Sequence, residues 1–207
     1  LKERGKILSA TISATQVKEL RDKTGAGVMD CRQALVDAAG DLCKAEEILR
    51  VKGIKSADKK AGRTASEGLI EAYLHMGSKL GVLIEVNCET DFVAKTDEFK
   101  TLARELAMQV AAYKARYVTR EEIPQEIVDN AREIFREQYA KEGKPANVLD
   151  KILDGRMEKY FEEVCLLDQR YIRDDSKKIS ELVKETVAKT GENIVVKRFA
   201  RFGIGEN

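Results

Sequence analysis

The stretch "LIEAYLHMGSKLGVLIEVNC", residues 69–88, changes the period of the chain from helical to two. Ile70, Ala72 and Leu74 alternate with Glu71, Tyr73 and His75. After the Met-Gly-Ser-Lys turn, Val82, Ile84 and Val86 alternate with Leu83, Glu85 and Asn87. Two alternating runs around a glycine-containing turn predict an antiparallel β-hairpin. The second run is apolar at most positions, so it is expected to be the inner strand. "NIVVKRFARFGIG" (residues 193–205) reads as a third strand beside it. With helical patterns on both sides, the expected class is α+β, a small antiparallel sheet covered by helices.

Upstream, residues 12–53 read as three short helices. Ser13 with Gln16 forms a capping-box pattern that opens the first, with Val17 and Leu20 inward. "TGAG" (residues 24–27) stops it, because glycine tolerates the left-handed conformation of a helix end. A second helix is expected from Asp30, with Cys31, Ala34, Leu35 and Ala38 on one stripe and Gly40 closing it. Asp41 then caps a third, with Leu42, Ala45, Ile48 and Leu49 inward and Gly53 as its stop. This bundle resembles the small three-helix domain called ubiquitin-associated. Residues 54–68 are charged and small with almost no apolar content, a linker that is at most partly helical.

Downstream, Phe99, Leu102, Leu106 and Val110 form a core-facing helical stripe. Pro124 suits a first helical position, and Ile127, Ala131, Ile134 and Phe135 follow at helical spacing. The loop "KEGKPANV" is answered by a helix carrying Val148, Ile152, Met157, Tyr160 and Phe161, giving a helical hairpin over residues 124–167. A last helix is expected from about Ser176 to Lys189, with Ile179, Leu182 and Val183 inward and Gly191 as its stop. The organisation is therefore a bundle at 12–53, a linker at 54–68, and an α+β core at 69–207.

Composition excludes several classes. The net charge of +1 argues against holding nucleic acid or an anionic membrane by bulk electrostatics. No apolar run approaches the ~20 residues of a membrane-spanning helix. No leader pattern precedes the first helix, and the four cysteines at 31, 43, 88 and 165 suit reduced thiols better than a disulfide framework. A cytoplasmic location is expected.

Catalysis has little to stand on. His75 is the single histidine and reads as a half-exposed strand residue, without partners at ligand spacing for a metal. Cys88 could be a nucleophile, but no further histidine is available as its base; the inert reading extends to Cys31, Cys43 and Cys165. No glycine pattern of a phosphate-binding loop is present. "KSADKKAGR" is locally basic, but acidic residues flank it and no aromatics interleave for base stacking. No enzyme activity, cofactor or metal is expected.

The segment between the hairpin and the next helix is unusual: "NCETDFVAKTDEF" (residues 87–99) sets Asp91 beside Phe92 where side chains ordinarily meet water. The residues alone allow Phe92 to fold back as a plug on its own hairpin or to project outward. Val28 and Met29 are equally open, as bundle core or as contact residues.

Several stretches together carry a resemblance. "VKELRDKTGAGVMDCRQAL" (17–35), "GVLIEVNCETDFVAKTDEF" (81–99), "GKPANVLDKILDGRM" (143–157) and "FARFGIGE" (199–206) are similar, in order, to segments of the elongation factor Ts family. The resemblance runs from about Ser13 to Glu206. It implies a guanine-nucleotide exchange factor that binds elongation factor Tu, GDP-bound and nucleotide-free, and promotes GDP release. By motif match, Thr90, Asp91, Phe92 and Val93 would disturb the magnesium site of that GTPase. Arg21, Val28, Met29 and, less directly, Arg32 would carry the contacts of the N-terminal bundle; some members have methionine where Val28 stands. The second sheet-forming segment of long members is missing here, as in a short form of the family. Self-association of the uncovered sheet, as a homodimer through the strand with Phe199 and Phe202, is then expected. The alternative from another class is a general protein-binding module using the three-helix domain, without exchange activity; a thiol enzyme acting through Cys88 is the third.

Overall fold

The computed structural model describes residues 12–141 and 146–206. The expected "KEGKPANV" loop falls largely on 142–145, outside the described residues, as do the side chain of Val148 and the "LKERGKILSA" end. The chain divides into two compact units. The first runs to Arg63 and takes in Lys184–Asn193; the second comprises Thr64–Val183 and the chain from Ile194.

The first unit is built on α1 (Ala14–Thr24), α2 (Val28–Asp37) and α3 (Leu42–Asp58). The capping box at Ser13 forms as expected. The Gln16 amide donates to Ser13 Oγ at 3.2 Å, and the Ser13 amide donates to Gln16 Oε1 at 3.0 Å. Gly25 ends α1 in the left-handed region at φ 68°, its N–H donating to the Arg21 carbonyl. Leu20, Cys31, Ala34, Leu35, Ala38, Ala45 and Leu49 make the core, with Val17, Leu42 and Ile48 packed against it. The apolar stripes thus meet as their spacing requires.

Two helix boundaries differ from the sequence expectation. Helix α2 opens at Val28, not Asp30, because Gly27 supplies the extended N-cap position. Helix α3 does not stop at Gly53 but continues to Asp58. Glycine inside a helix costs about 1 kcal/mol and need not terminate it. Here the missing side chain has a use: a β-carbon on Gly53 would lie 2.9 Å from that of Ala188.

In the second unit, β1 (Glu67–Leu74), β2 (Leu80–Cys88) and β5 (Ile194–Gly203) form an antiparallel sheet in the order β1-β2-β5. The second run of the hairpin is the inner strand, as its composition predicts. After the one-turn α4 (Asp91–Ala94), α5 (Asp97–Tyr113) packs across β1 and β2. It buries Phe99, Leu102, Leu106 and Val110 against Val82, Ile84 and Val86. Helices α6 (Gln125–Lys141) and α7 (Ala146–Val164) pair, with Phe135 edge-on to Tyr160 at 6.4 Å. Arg120 anchors the base of the pair by hydrogen-bonding both Glu158 and Asp168.

A two-stranded ribbon, β3 (Arg170–Tyr171) with β4 (Asp174–Lys178), precedes α8 (Ile179–Thr190). Residues 176–178, expected to be helical, lie in β4. Buried Gln109 holds the ribbon to α5: its amide nitrogen donates to the Arg170 carbonyl and its oxygen accepts from the Ile172 amide. A glutamine inside a helical pattern carries no local sign of so distant a bond.

One face of the sheet is left uncovered by its own unit. Because strand side chains alternate, Ile70, Ala72 and Leu74 of β1 share a side with Leu83 of β2 and Ala200 and Phe202 of β5. Ile70 and Leu74 are each 66% exposed and Phe202 is 68% exposed. Phe199 does not join them. It pairs with Ile84 on the side of α5, where Arg201, two residues on, donates to the Ala111 carbonyl. A spacing of three along a strand puts Phe199 and Phe202 on opposite faces, so the expected aromatic pair is not one surface.

Candidate functional site: the turn after the second strand

The segment expected to be a loop contains one turn of helix. Thr90 adopts the extended N-cap conformation, and its hydroxyl oxygen accepts from the Val93 amide at 3.5 Å. The thiol of buried Cys88 donates to the Thr90 carbonyl at 3.1 Å, fastening the turn to the end of β2. On the other side, the Thr96 hydroxyl donates to the Val93 carbonyl at 2.8 Å, while its oxygen accepts from the Phe99 amide to cap α5. A single turn is unstable alone, since nucleation costs more than one hydrogen bond returns. Caps at both ends and the burial of Val93 and Ala94 hold this one in place.

That geometry separates the four motif residues. Val93 turns inward and is buried; Thr90 is a cap; Asp91 and Phe92 are presented to solvent. Phe92 is 78% exposed, so it is not a plug on its own hairpin. An exposed aromatic on a turn fixed at both ends forms a preorganised apolar projection, and burying it elsewhere entails little further ordering.

The Asp91 carboxylate is paired. Lys95 Nζ donates to Asp91 Oδ2 at 2.6 Å across one helical turn. That hydrogen bond, with the ammonium charge, holds Asp91 below the usual carboxylate range. Lys95 and Cys88 are the members of this site that the sequence did not single out as such. The i, i+4 spacing of Asp91 and Lys95 was the available signal for the first. For Cys88, nothing local in the sequence announces a bond to Thr90.

The bundle residues lie on the first two helices of the first unit. Val28 and Met29 lie in the first turn of α2, outside the core, with Met29 73% exposed. Arg32 follows on the next turn and is exposed, and Arg21 is exposed in the last turn of α1. Val36, 52% exposed and seven residues beyond Met29, extends this apolar stripe by two turns. Its position was legible in the helical period but masked by the neighbouring core residues Ala34 and Leu35.

The Tyr73 hydroxyl lies 3.0 Å from Nδ1 of exposed His75. Burial pushes the Cys165 thiol up to about 12, which keeps it un-ionised at neutral pH. Among the described residues, no cluster of His, Cys, Asp or Glu could hold a metal ion, and no helix is long and apolar enough to cross a membrane.

Comparison with known proteins points one way. The family described as Elongation factor TS matches residues 10–206. A protein of Caldanaerobacter subterraneus subsp. tengcongensis named Elongation factor Ts is 57% identical over 195 residues, spanning 94% of this chain and 98% of its own. Its namesake in Thermoanaerobacter sp. (strain X514) is 57% identical over 94% of this chain and 96% of its own. A further namesake in Anaeromyxobacter dehalogenans is 54% identical over 95% of this chain and 90% of its own.

Proposed function

The chain belongs to the elongation factor Ts family of translation elongation factors, and from that premise we propose that it is a guanine-nucleotide exchange factor for elongation factor Tu. The observation that carries this reading is Phe92, 78% exposed on a turn fastened to both β2 and α5, with the Asp91 carboxylate beside it. A GTPase holds nucleotide through backbone amides, a lysine and magnesium acting together on the phosphates. An exchange factor must bind the empty state better than the loaded one, and linkage makes each ligand weaken the other. Burial of a Phe side chain between elements of the GTPase yields about 2–3 kcal/mol. If that burial is possible only when those elements shift, the energy is directed at misplacing the magnesium ligands. Asp91 adds negative charge near the same site.

No bond is made or broken in this scheme, so the protein is not an enzyme and carries no cofactor of its own. Arg21, Val28, Met29 and Arg32, exposed on the first two helices, supply a second contact on the same partner. The uncovered apolar side of the sheet, with an open groove of about 530 Å³ among Leu74, Leu83 and Phe202, supports a homodimer through that face. Neither nucleic acid nor membrane takes part, and the protein acts in the cytoplasm.

The direct test is release of fluorescent GDP from elongation factor Tu with and without this protein. A release rate that does not change at saturating factor removes the exchange reading and leaves a binding module.

A further inference from the structure

The turn that carries Phe92 sits in a strongly acidic segment. Residues 89–98 include four carboxylates (Glu89, Asp91, Asp97 and Glu98) and a single cation, Lys95. Its ammonium is set on Asp91 at 2.6 Å although both side chains remain mostly in water, 72% and 51% exposed. Exposed pairs of this kind contribute little to folding, because water screens the charges and the side chains lose entropy in meeting. The fold therefore depends little on this pair.

We propose that Lys95 is a positioning residue for exchange, the counter-ion that neutralises Asp91 while the acidic turn approaches a site filled with nucleotide phosphates. This rests on the exchange-factor reading above. A GDP-loaded site is anionic, and a bare carboxylate arriving beside Phe92 would be repelled before contact. Such repulsion acts over about 8–10 Å at ordinary ionic strength and so governs encounter. With Lys95 in place the pair is neutral at a distance yet still delivers the carboxylate at short range. Lys95 follows the last residue of α4 and no core packs on it, so its removal leaves the turn and its caps standing.

The experiment is GDP release from GDP-loaded elongation factor Tu, titrated with wild type, Lys95→Met, Lys95→Arg and the double variant Asp91→Asn/Lys95→Met, at low and high salt. Lys95→Met should raise the half-saturating concentration about 3- to 5-fold at roughly 50 mM salt and less than about 2-fold at 0.5 M, where charges are screened. Its limiting rate at saturation should stay within about 2-fold of wild type. Lys95→Arg should behave as wild type. The double variant, with the local charge restored, should lose the excess salt dependence of Lys95→Met, while its limiting rate falls as that of an Asp91 variant does. Melting curves of each variant accompany the titrations. If wild type accelerates release but Lys95→Met is unchanged, loses only limiting rate, or shows a deficit that salt does not alter, Lys95 is not the counter-ion. If wild type itself fails to accelerate release, the exchange reading falls and this inference falls with it.

Discussion

Gly53 of α3 stands directly against Ala188 of α8: a β-carbon added to Gly53 would come within 2.9 Å of the Ala188 β-carbon. Both positions belong to the first unit, and Ala188 Cβ is fixed to its backbone, so neither contact atom can rotate away.

Gly53→Ala should therefore destabilise the protein despite its better helix propensity. Alanine gains about 0.8–1 kcal/mol as a helix former, while overpacking typically costs about 1–3 kcal/mol. A net loss of about 1 kcal/mol is expected in denaturant melts. Adding Ala188→Gly should recover part of it, a coupling that a double-mutant cycle measures. A stabilised single variant would show that the two helices separate freely.

The uncovered sheet face makes a second prediction. Wild type should sediment as a dimer at tens of micromolar, and Leu83→Lys or Phe202→Lys should give monomers with unchanged circular dichroism. Both side chains are on the exposed side, so a lysine there costs the fold little. Phe199→Ala should behave differently, lowering stability, because Phe199 faces α5. Wild type that runs only as monomer would sink the sheet dimer.

Phe92→Ala should leave the melting temperature within a degree or two of wild type, since the side chain is 78% exposed. It should slow factor-stimulated GDP release at least ~10-fold, because burial of about 2–3 kcal/mol is lost. Asp91→Ala should slow release less, its charge being screened by water and salt. The combined variant should be non-additive, as both groups act on one displaced element. Normal melting with full exchange activity would mean that Phe92 is not the wedge.

A pH series tests the C-terminal fastening. Glu206 accepts from Arg201 and, at 2.8 Å, pairs with Lys114 Nζ at the end of α5. The Arg201 hydrogen bond, followed by that of Lys114, pulls its carboxyl down to about 2 from 4.5. The folded form thus prefers the ionised group, so the stabilisation is present in full above about pH 4.5 and is lost as pH falls to about 2. The melting temperature of Glu206→Gln should lie below wild type at neutral pH, and the gap should close across that window. A gap that persists unchanged at about pH 2 would place the effect in packing rather than in charge.

Much of this protein was legible in local pattern. Alternation in residues 69–88 determined the hairpin and its inner strand, and the stripe of Phe99, Leu102, Leu106 and Val110 determined α5. Ser13 with Gln16, and Asp41 ahead of its apolar stripe, marked helix starts, because a cap side chain accepts from the amide three residues on. The motif around Thr90 named the site residues. Tertiary structure decided what depends on partners distant in sequence. Gly53 stays helical because α8 lies beside it. Gln109 is buried because a ribbon 61 residues later supplies its hydrogen bonds. Phe199 and Phe202 part company because a strand has period two and α5 covers just one face of the sheet. Phe92 points outward because Cys88 and Thr96 fasten the turn on either side while Val93 takes the inward place. Local pattern records spacing along the chain, whereas burial is set by what the rest of the fold brings against each face.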